Sequence, residues 1–354
     1  MNPSTDPIES ISRFVSVVDD HSFTVFDRQV HVAYQQPYHK WDKPIHHFGM
    51  NTGEENQLKA NLISQLSSVI YGAFYIKGKV SAQGMKDWEH SAHKYINGGD
   101  EAFVEELSRY NRSTDHLDQF WRVYAIDQQG NTFVEKNGDV RPLQLDAFTY
   151  ANPAETSLQI NSMVHIKQPK EHRNVQPVFY YVNSAELMPV GEEIGRFYWN
   201  LEPDGAKHLV EQVSEVFNRY RVPFMFKCTN HPDLYTRTDG AVLYIMRRQY
   251  RVVTRLLRLI VPKVKPFLKE ETPLFTRKIT GGLSYAEDPG MNQSFGMSRA
   301  QLIAKGIVDA YYARHNNRTA QYKEILKAFK ENGLDTRHPY LRPNSHWTYD
   351  FNFL

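Results

Sequence analysis

Residues 195–229 read GRFYWNLEPDGAKHLVEQVSEVFNRYRVPFMFKCT, and three periods inside that stretch set the fold. GRFYWNL alternates with period two, sending Phe197, Trp199 and Leu201 to one side and Arg196, Tyr198 and Asn200 to the other. PFMFKCT alternates likewise, with Phe224, Phe226 and Cys228 on one side and Met225, Lys227 and Thr229 opposite. Between them, Ala206, Leu209, Val210, Val213, Val216, Phe217 and Tyr220 recur at helical spacing. Pro203 suits the first turn of that helix, where its missing N–H costs nothing. The stretch is strand, helix, strand.

Working outward, SMVHIK (162–167), PVFYYV (177–182) and AVLYIM (241–246) read as further strands. A long basic helix is expected at about 247–261, then a loop GGLSYAEDPGMNQSFG (281–296), then a last core helix starting near Ser298. Strands next to strands, with few helices between them, predict an α+β fold: a mostly antiparallel sheet flanked by helices. Toward the N-terminus, Leu58, Leu62, Leu66, Val69, Ile70 and Phe74 form one helical stripe. A shorter helix is expected near Glu101–Tyr110. FWRVYAIDQQGNTFVEKNG (120–138) reads as a hairpin closed by Asn137-Gly138. These features divide the chain into a helical and β-hairpin region, 1–155, and an α+β domain, 156–354.

The bulk properties narrow the function. The 354 residues suffice for a sizeable core, and the 13% aromatic content excludes extended disorder. With 42 basic and 40 acidic residues, the chain lacks the basic excess of a general nucleic-acid binder. Cys228, the single cysteine, excludes an intramolecular disulfide and any multi-cysteine metal site, which fits a reducing cytoplasm. The start, MNPSTDPIESISRF, lacks a signal-peptide layout. The most apolar run, Leu256–Val264, is broken by Arg258 and Pro262, so no membrane span is expected. No nucleotide-binding loop, dinucleotide fingerprint or nucleophile elbow occurs. His46, His47, His90 and His93 follow no metal-ligand spacing.

Two aromatic-backed strands each place a cation on their polar face: Arg196 on one, Lys227 on the other. On an open antiparallel sheet these would simply face water. In a lined cleft, the low-dielectric surroundings of Lys227 would depress its pKa and make it a base. Arg248, Arg251, Arg255 and Arg258 share a helix face, and from Arg247 to Lys269 inclusive there are eight basic residues and no acid. Such a face is commonly only solvated; its other use is to dock an acidic or phosphorylated peptide. Ser298 as an N-cap would put Arg299 in a first turn, where free amides and a guanidinium can cradle an anion.

Three runs, GRFYWNLEPDGAKHLV, PFMFKCTNHPDLYTRTDGAVLYI and TGGLSYAEDPGMNQSFGMSRAQLIAKGIVDAYY, resemble the HopA-type effector family. That family includes a translocated effector of plant-pathogenic bacteria and lyase components of pathways to class V lanthipeptides and thioamitides. The likeness covers about residues 160–312. A more distant likeness is to OspF-type phosphothreonine lyases, which carry a Lys-x-His strand, a Phe-Lys-Val-Thr base strand, a following Arg and a late Leu-Ser-Tyr segment. Phe226-Lys227-Cys228-Thr229 is similar to the base strand, Arg237 to the following Arg, and Leu283-Ser284-Tyr285 with Arg299 to the late segment. The chain departs at GRFYWN, which has Arg196 and Tyr198 where those lyases have Lys and His.

The resemblance implies β-elimination of phosphate from phosphoserine or phosphothreonine without a metal or organic cofactor. Lys227 would be the base; Arg196, Arg237, Lys278 and Arg299 would receive the phosphate; and Tyr198 would be the acid unless the acid sits elsewhere. Arg248, Arg251 and Arg255 would hold the peptide. The implied partners are a ribosomal precursor peptide and a separate kinase-like protein that phosphorylates it. The other implied class is a non-catalytic, effector-like protein that binds a host or partner protein.

Overall fold

The computed structural model describes residues 6–32, 54–92, 99–290, 293–315 and 317–351. The chain begins with helix α1 (Pro7–Phe14) and strands β1 (Val15–Asp19), β2 (Ser22–Val25) and β3 (Arg28–His31). Helices α2 (Glu54–Val69), α3 (Ala82–Ala92) and α4 (Glu101–Tyr110) follow. Next come β4 (His116–Ile126), β5 (Thr132–Lys136), β6 (Asp139–Pro142), β7 (Phe148–Tyr150) and β8 (Met163–Gln168). Strands β9 (Glu171–Gln176), β10 (Phe179–Asn183) and β11 (Ile194–Trp199) lead to α5 (Pro203–Arg219). After it stand β12 (Phe224–Thr229), β13 (Ala241–Met246) and α6 (Tyr250–Val264). The chain continues through β14 (Arg277–Thr280), β15 (Leu283–Glu287), α7 (Phe295–Tyr312) and α8 (Arg318–Glu331). The α+β class expected from the sequence is what forms.

The chain divides into two compact units, each assembled from separated stretches. The first holds Met1–Tyr95, Glu271–Lys278 and Ala286–Tyr349; the second holds Ile96–Glu270, Ile279–Tyr285 and Asp350–Leu354. The boundary expected near residue 155 therefore falls inside the second unit.

In the first unit, Asp6 caps α1 by accepting from the Ile8 amide at 3.0 Å. Strands β1, β2 and β3 make a three-stranded antiparallel sheet. The helical stripe around residue 70 is correct, but its last part leaves α-geometry: Ile70–Phe74 is π-helical and Tyr75–Lys77 is 3-10. Helix α7 packs on α2 and α8. The α7–α8 approach is close, since a Cβ on Gly306 would meet the Ile325 Cα at 2.5 Å. The buried Glu287 carboxylate accepts from the Arg342 amide and the Ser345 hydroxyl, both at 2.9 Å, and from the Tyr349 hydroxyl. That carboxylate pins the segment after α8.

In the second unit, β6-β5-β4-β8-β7 form a five-stranded sheet. Its core is Trp121, Val123, Val134, Leu143, Val164 and Ile166. Asn137 and Gly138, at φ 53° and 80°, make the tight β5–β6 turn, so the expected hairpin extends by a third strand. The larger sheet runs β14-β15-β11-β13-β12-β10-β9, of which β9 to β13 lie wholly in the second unit. Its Phe224 face meets α5, with the Phe217 and Phe224 rings 5.3 Å apart, and α6 lies beside α5.

Two expectations fail here. Leu283–Glu287, inside the stretch read as a loop, is a strand and buried throughout. Its glycines misled the reading, because they serve the turn before it. Gly282 has φ 68°, and a Cβ there would come within 2.6 Å of the Asn200 and Lys269 carbonyl oxygens. The last core helix begins at Phe295 with Ser294 as N-cap, not near Ser298.

Candidate functional site

Register across the larger sheet lines up a rank of side chains on one face. Tyr198 pairs with Val242, Val242 with Lys227, Lys227 with Tyr181, and Tyr181 with His172. Directly opposed residues share a face, so these five point the same way. A second rank, from Arg196 through Tyr244 and Met225 to Asn183, lies alongside. The opposite face carries Phe197, Trp199, Phe224, Phe226 and Cys228, all buried. The alternation read from residues 195–229 thus sorts cations from core. Cys228 is core, as expected.

Lys227 sits at the centre of this polar face. Its Nζ lies 3.9 Å from the Phe179 ring centroid, with Tyr181 and Tyr244 at 5.8 and 5.9 Å. It donates to Gln176 Oε1 at 3.1 Å, an oxygen that also accepts from the Tyr181 hydroxyl at 2.6 Å. Burial against these rings pulls the amine down from its usual 10.5 to about 7. Asp239 works against that shift, while the Arg237 and Arg196 guanidiniums add to it. A lysine that is about half neutral at pH 7 can take a proton without waiting for its own.

Arg237 stands on the β12–β13 connection with its guanidinium carbon 5.7 Å from the same Phe179 ring. Asp239 holds it edge-on, Nε to Oδ1 at 2.5 Å and Nη2 to Oδ2 at 3.0 Å. Arg196 is buried to 9% exposure and lies over Tyr244, 5.3 Å from its centroid. Tyr198 is buried two strands from Lys227. Thr229 Oγ1 is buried on this face with no hydrogen-bond partner among the described residues. Tyr285 packs on the other face, its ring 4.9 Å from Phe197, so alternation turns the buried Ser284 toward the Arg196 side.

Residues 170–341 match the HopA1 effector protein family. The HopA-type likeness read from the sequence is borne out over that span, which contains the whole Lys227 face. An effector protein from Pseudomonas syringae pv. tomato strain DC3000 is 20% identical, covering 81% of this chain and 98% of that one, at a TM-score of 0.42. One from Pseudomonas syringae pv. syringae strain 61 is 15% identical over 80% and 97%, at 0.38. No curated protein matches the chain.

Within the HopA1 stretch, the other expected site residues lie away from the Lys227 face or in the first unit. Arg299 belongs to the first unit, 1% exposed, and donates to the Pro339 and Leu341 carbonyls at 2.8 and 2.6 Å. Because α7 starts at Phe295, Arg299 falls in the second turn, away from the open amides that suggested an anion cradle. Its guanidinium anchors backbone. Lys278 is exposed and also belongs to the first unit. Arg248, Arg251 and Arg255 are exposed on α6, in the helix layer on the Phe224 side of the sheet. They are therefore across the sheet from Lys227, and Arg248 pairs with Glu192. His46, His47 and His93 lie outside the described residues.

The sequence reading missed His172. It ends the rank that holds Lys227, on an edge strand that was not anticipated, and burial shifts its imidazole below the usual 6.5. EHRNVQ has no apolar alternation to announce a strand. Once PVFYYV is placed, though, the short gap before it suits a hairpin partner.

Proposed function

We propose that the unit carrying Lys227 eliminates phosphate from a phosphorylated serine or threonine of a peptide. One observation carries the reading: an amine titrating at about 7 rests on an aromatic face beside two guanidiniums. Neutral Lys227 takes the Cα proton, and the electron pair forms the Cα=Cβ bond. The Cβ–O bond breaks, and phosphate leaves with its charge received by Arg237 and Arg196. The product is dehydroalanine or dehydrobutyrine. Guanidinium donors aimed at the developing charge are the larger contributor, and the positioned base adds ~10²–10⁴-fold.

The bridging oxygen needs a proton. His172 serves this role better than Tyr198, because it is exposed enough to meet a ligand while Tyr198 is 3% exposed. A bound phosphate dianion would draw the imidazole back toward its charged form. Under this reading the substrate is a ribosomal precursor peptide, phosphorylated by a separate kinase-like protein. The α6 arginines would then hold a part of the peptide remote from the reacting residue.

A second reading, a protein that binds its partner without converting it, is favoured by the family's description as effectors. Mass spectrometry of a synthetic phosphothreonine peptide incubated with the protein separates the two. Elimination predicts loss of phosphoric acid; binding with unchanged mass rejects it in favour of the second reading.

A further inference from the structure

Asp239 is used by neither the base nor the acid, yet it is 7% exposed and forms an ion pair with Arg237. Its two oxygens take the Nε and Nη2 edge of Arg237. The groups facing Lys227 come from four strands and one connection. They are Gln176 and His172 from β9, Phe179 and Tyr181 from β10, Tyr244 from β13, Arg196 from β11, and Arg237 with Asp239 from the connection. Among the described residues, Asp239 is the acid whose charge acts on Lys227.

We propose that Asp239 is the positioning residue of this site, fixing the Arg237 guanidinium and offsetting the positive field that the two arginines impose on Lys227. The assignment rests on the elimination reading for its purpose, but its two physical consequences can be measured without turnover. Held edge-on, the Arg237 guanidinium does not rotate freely, so less side-chain entropy is lost when it meets a phosphate. Without the carboxylate, two guanidiniums act on Lys227 unopposed and favour its neutral form.

The test is a ¹⁵N NMR titration of the Lys227 side-chain nitrogen in the intact protein, with orthophosphate binding measured beside it. Asp239→Asn should lower the Lys227 midpoint by about one pH unit, a tenfold change in proton affinity. Binding of orthophosphate should weaken several-fold, and Asp239→Glu should restore both in part. In Arg237→Gln/Asp239→Asn, opposite charges are removed together, and the midpoint should return toward the native value. That double variant also serves if the single asparagine variant does not fold, since a midpoint as low as an unopposed Arg237 requires would overturn the proposal. An unmoved midpoint in Asp239→Asn overturns it as well, whether or not the native protein eliminates phosphate. A shifted midpoint in a protein that leaves phosphothreonine intact would keep Asp239's role and reject the elimination.

Discussion

Replacing Lys227 by arginine tests the proposed base directly. Arginine keeps a cation over Phe179 and beside Gln176, so the site stays charged and filled, but a guanidinium does not release its proton in the working range. The loss should therefore be the base's share, ~10²–10⁴-fold in elimination rate, with phosphopeptide affinity nearly retained. The native protein supplies the matching pH signature. A base titrating at about 7 is about one-eleventh neutral at pH 6 and about ten-elevenths at pH 8, so the base's contribution should rise about tenfold and level off, while loss of the His172 proton bends the profile down on its alkaline side. A lysine at its ordinary value would instead give about a hundredfold rise over the same interval and no plateau below pH 10. Burial opposes the cation–π attraction of Phe179, which favours the ammonium by ~0.5–2 kcal/mol, and the net shift says burial prevails. The assay is single-turnover mass spectrometry of a phosphothreonine peptide across that range. A Lys227→Arg rate within a few-fold of native, or a native rate still climbing tenfold per pH unit at pH 9, would refute the reasoning.

The same amine predicts a stability effect. Its folded value lies below its unfolded one, so the unfolded chain binds more protons between about pH 7 and 10, and native stability gains with pH through that window. Lys227→Met should thus raise Tm most at pH 6–7, with the advantage narrowing toward pH 10; a constant difference would contradict the shift. His172→Gln should cut the elimination rate at least ~10²-fold while Tyr198→Phe costs less, and equal losses would return the acid to Tyr198. Arg251→Glu with Arg255→Glu should weaken binding of a long acidic phosphopeptide in a salt-dependent way yet spare a short one around the phosphothreonine. If the short peptide suffers equally, the α6 face touches the reacting end. Gly282→Ala should cost more than ~1 kcal/mol in urea unfolding, because both its φ and the two carbonyls at 2.6 Å oppose a methyl group.

Strand alternation made most of the Lys227 face legible. Period two in GRFYWNL and PFMFKCT separates Arg196 and Lys227 from Phe197 and Phe226 with no knowledge of pairing, because a slip of one residue would bury charge. Asp239 and His172 were less visible for different reasons. Asp239 acts through an ion pair two residues away on a connection, where no periodicity operates. His172 needs the β9–β10 register before its face is known. Arg299 misled because a helix start was placed four residues late, and an arginine one turn further in contacts backbone carbonyls instead of open amides. The interleaved units were not visible at all, since discontinuous assembly leaves no mark in local composition.

That interleaving bears on synthesis. The second unit takes in the segment holding Phe351, whose ring lies 5.4 Å from Tyr285 and 6.2 Å from Phe197, and the first takes in Ala286–Tyr349. A ribosome making this chain one residue at a time would release neither unit finished until residues 349–351 had emerged. Until then the aromatic backing of Lys227 would lack the Phe351 ring.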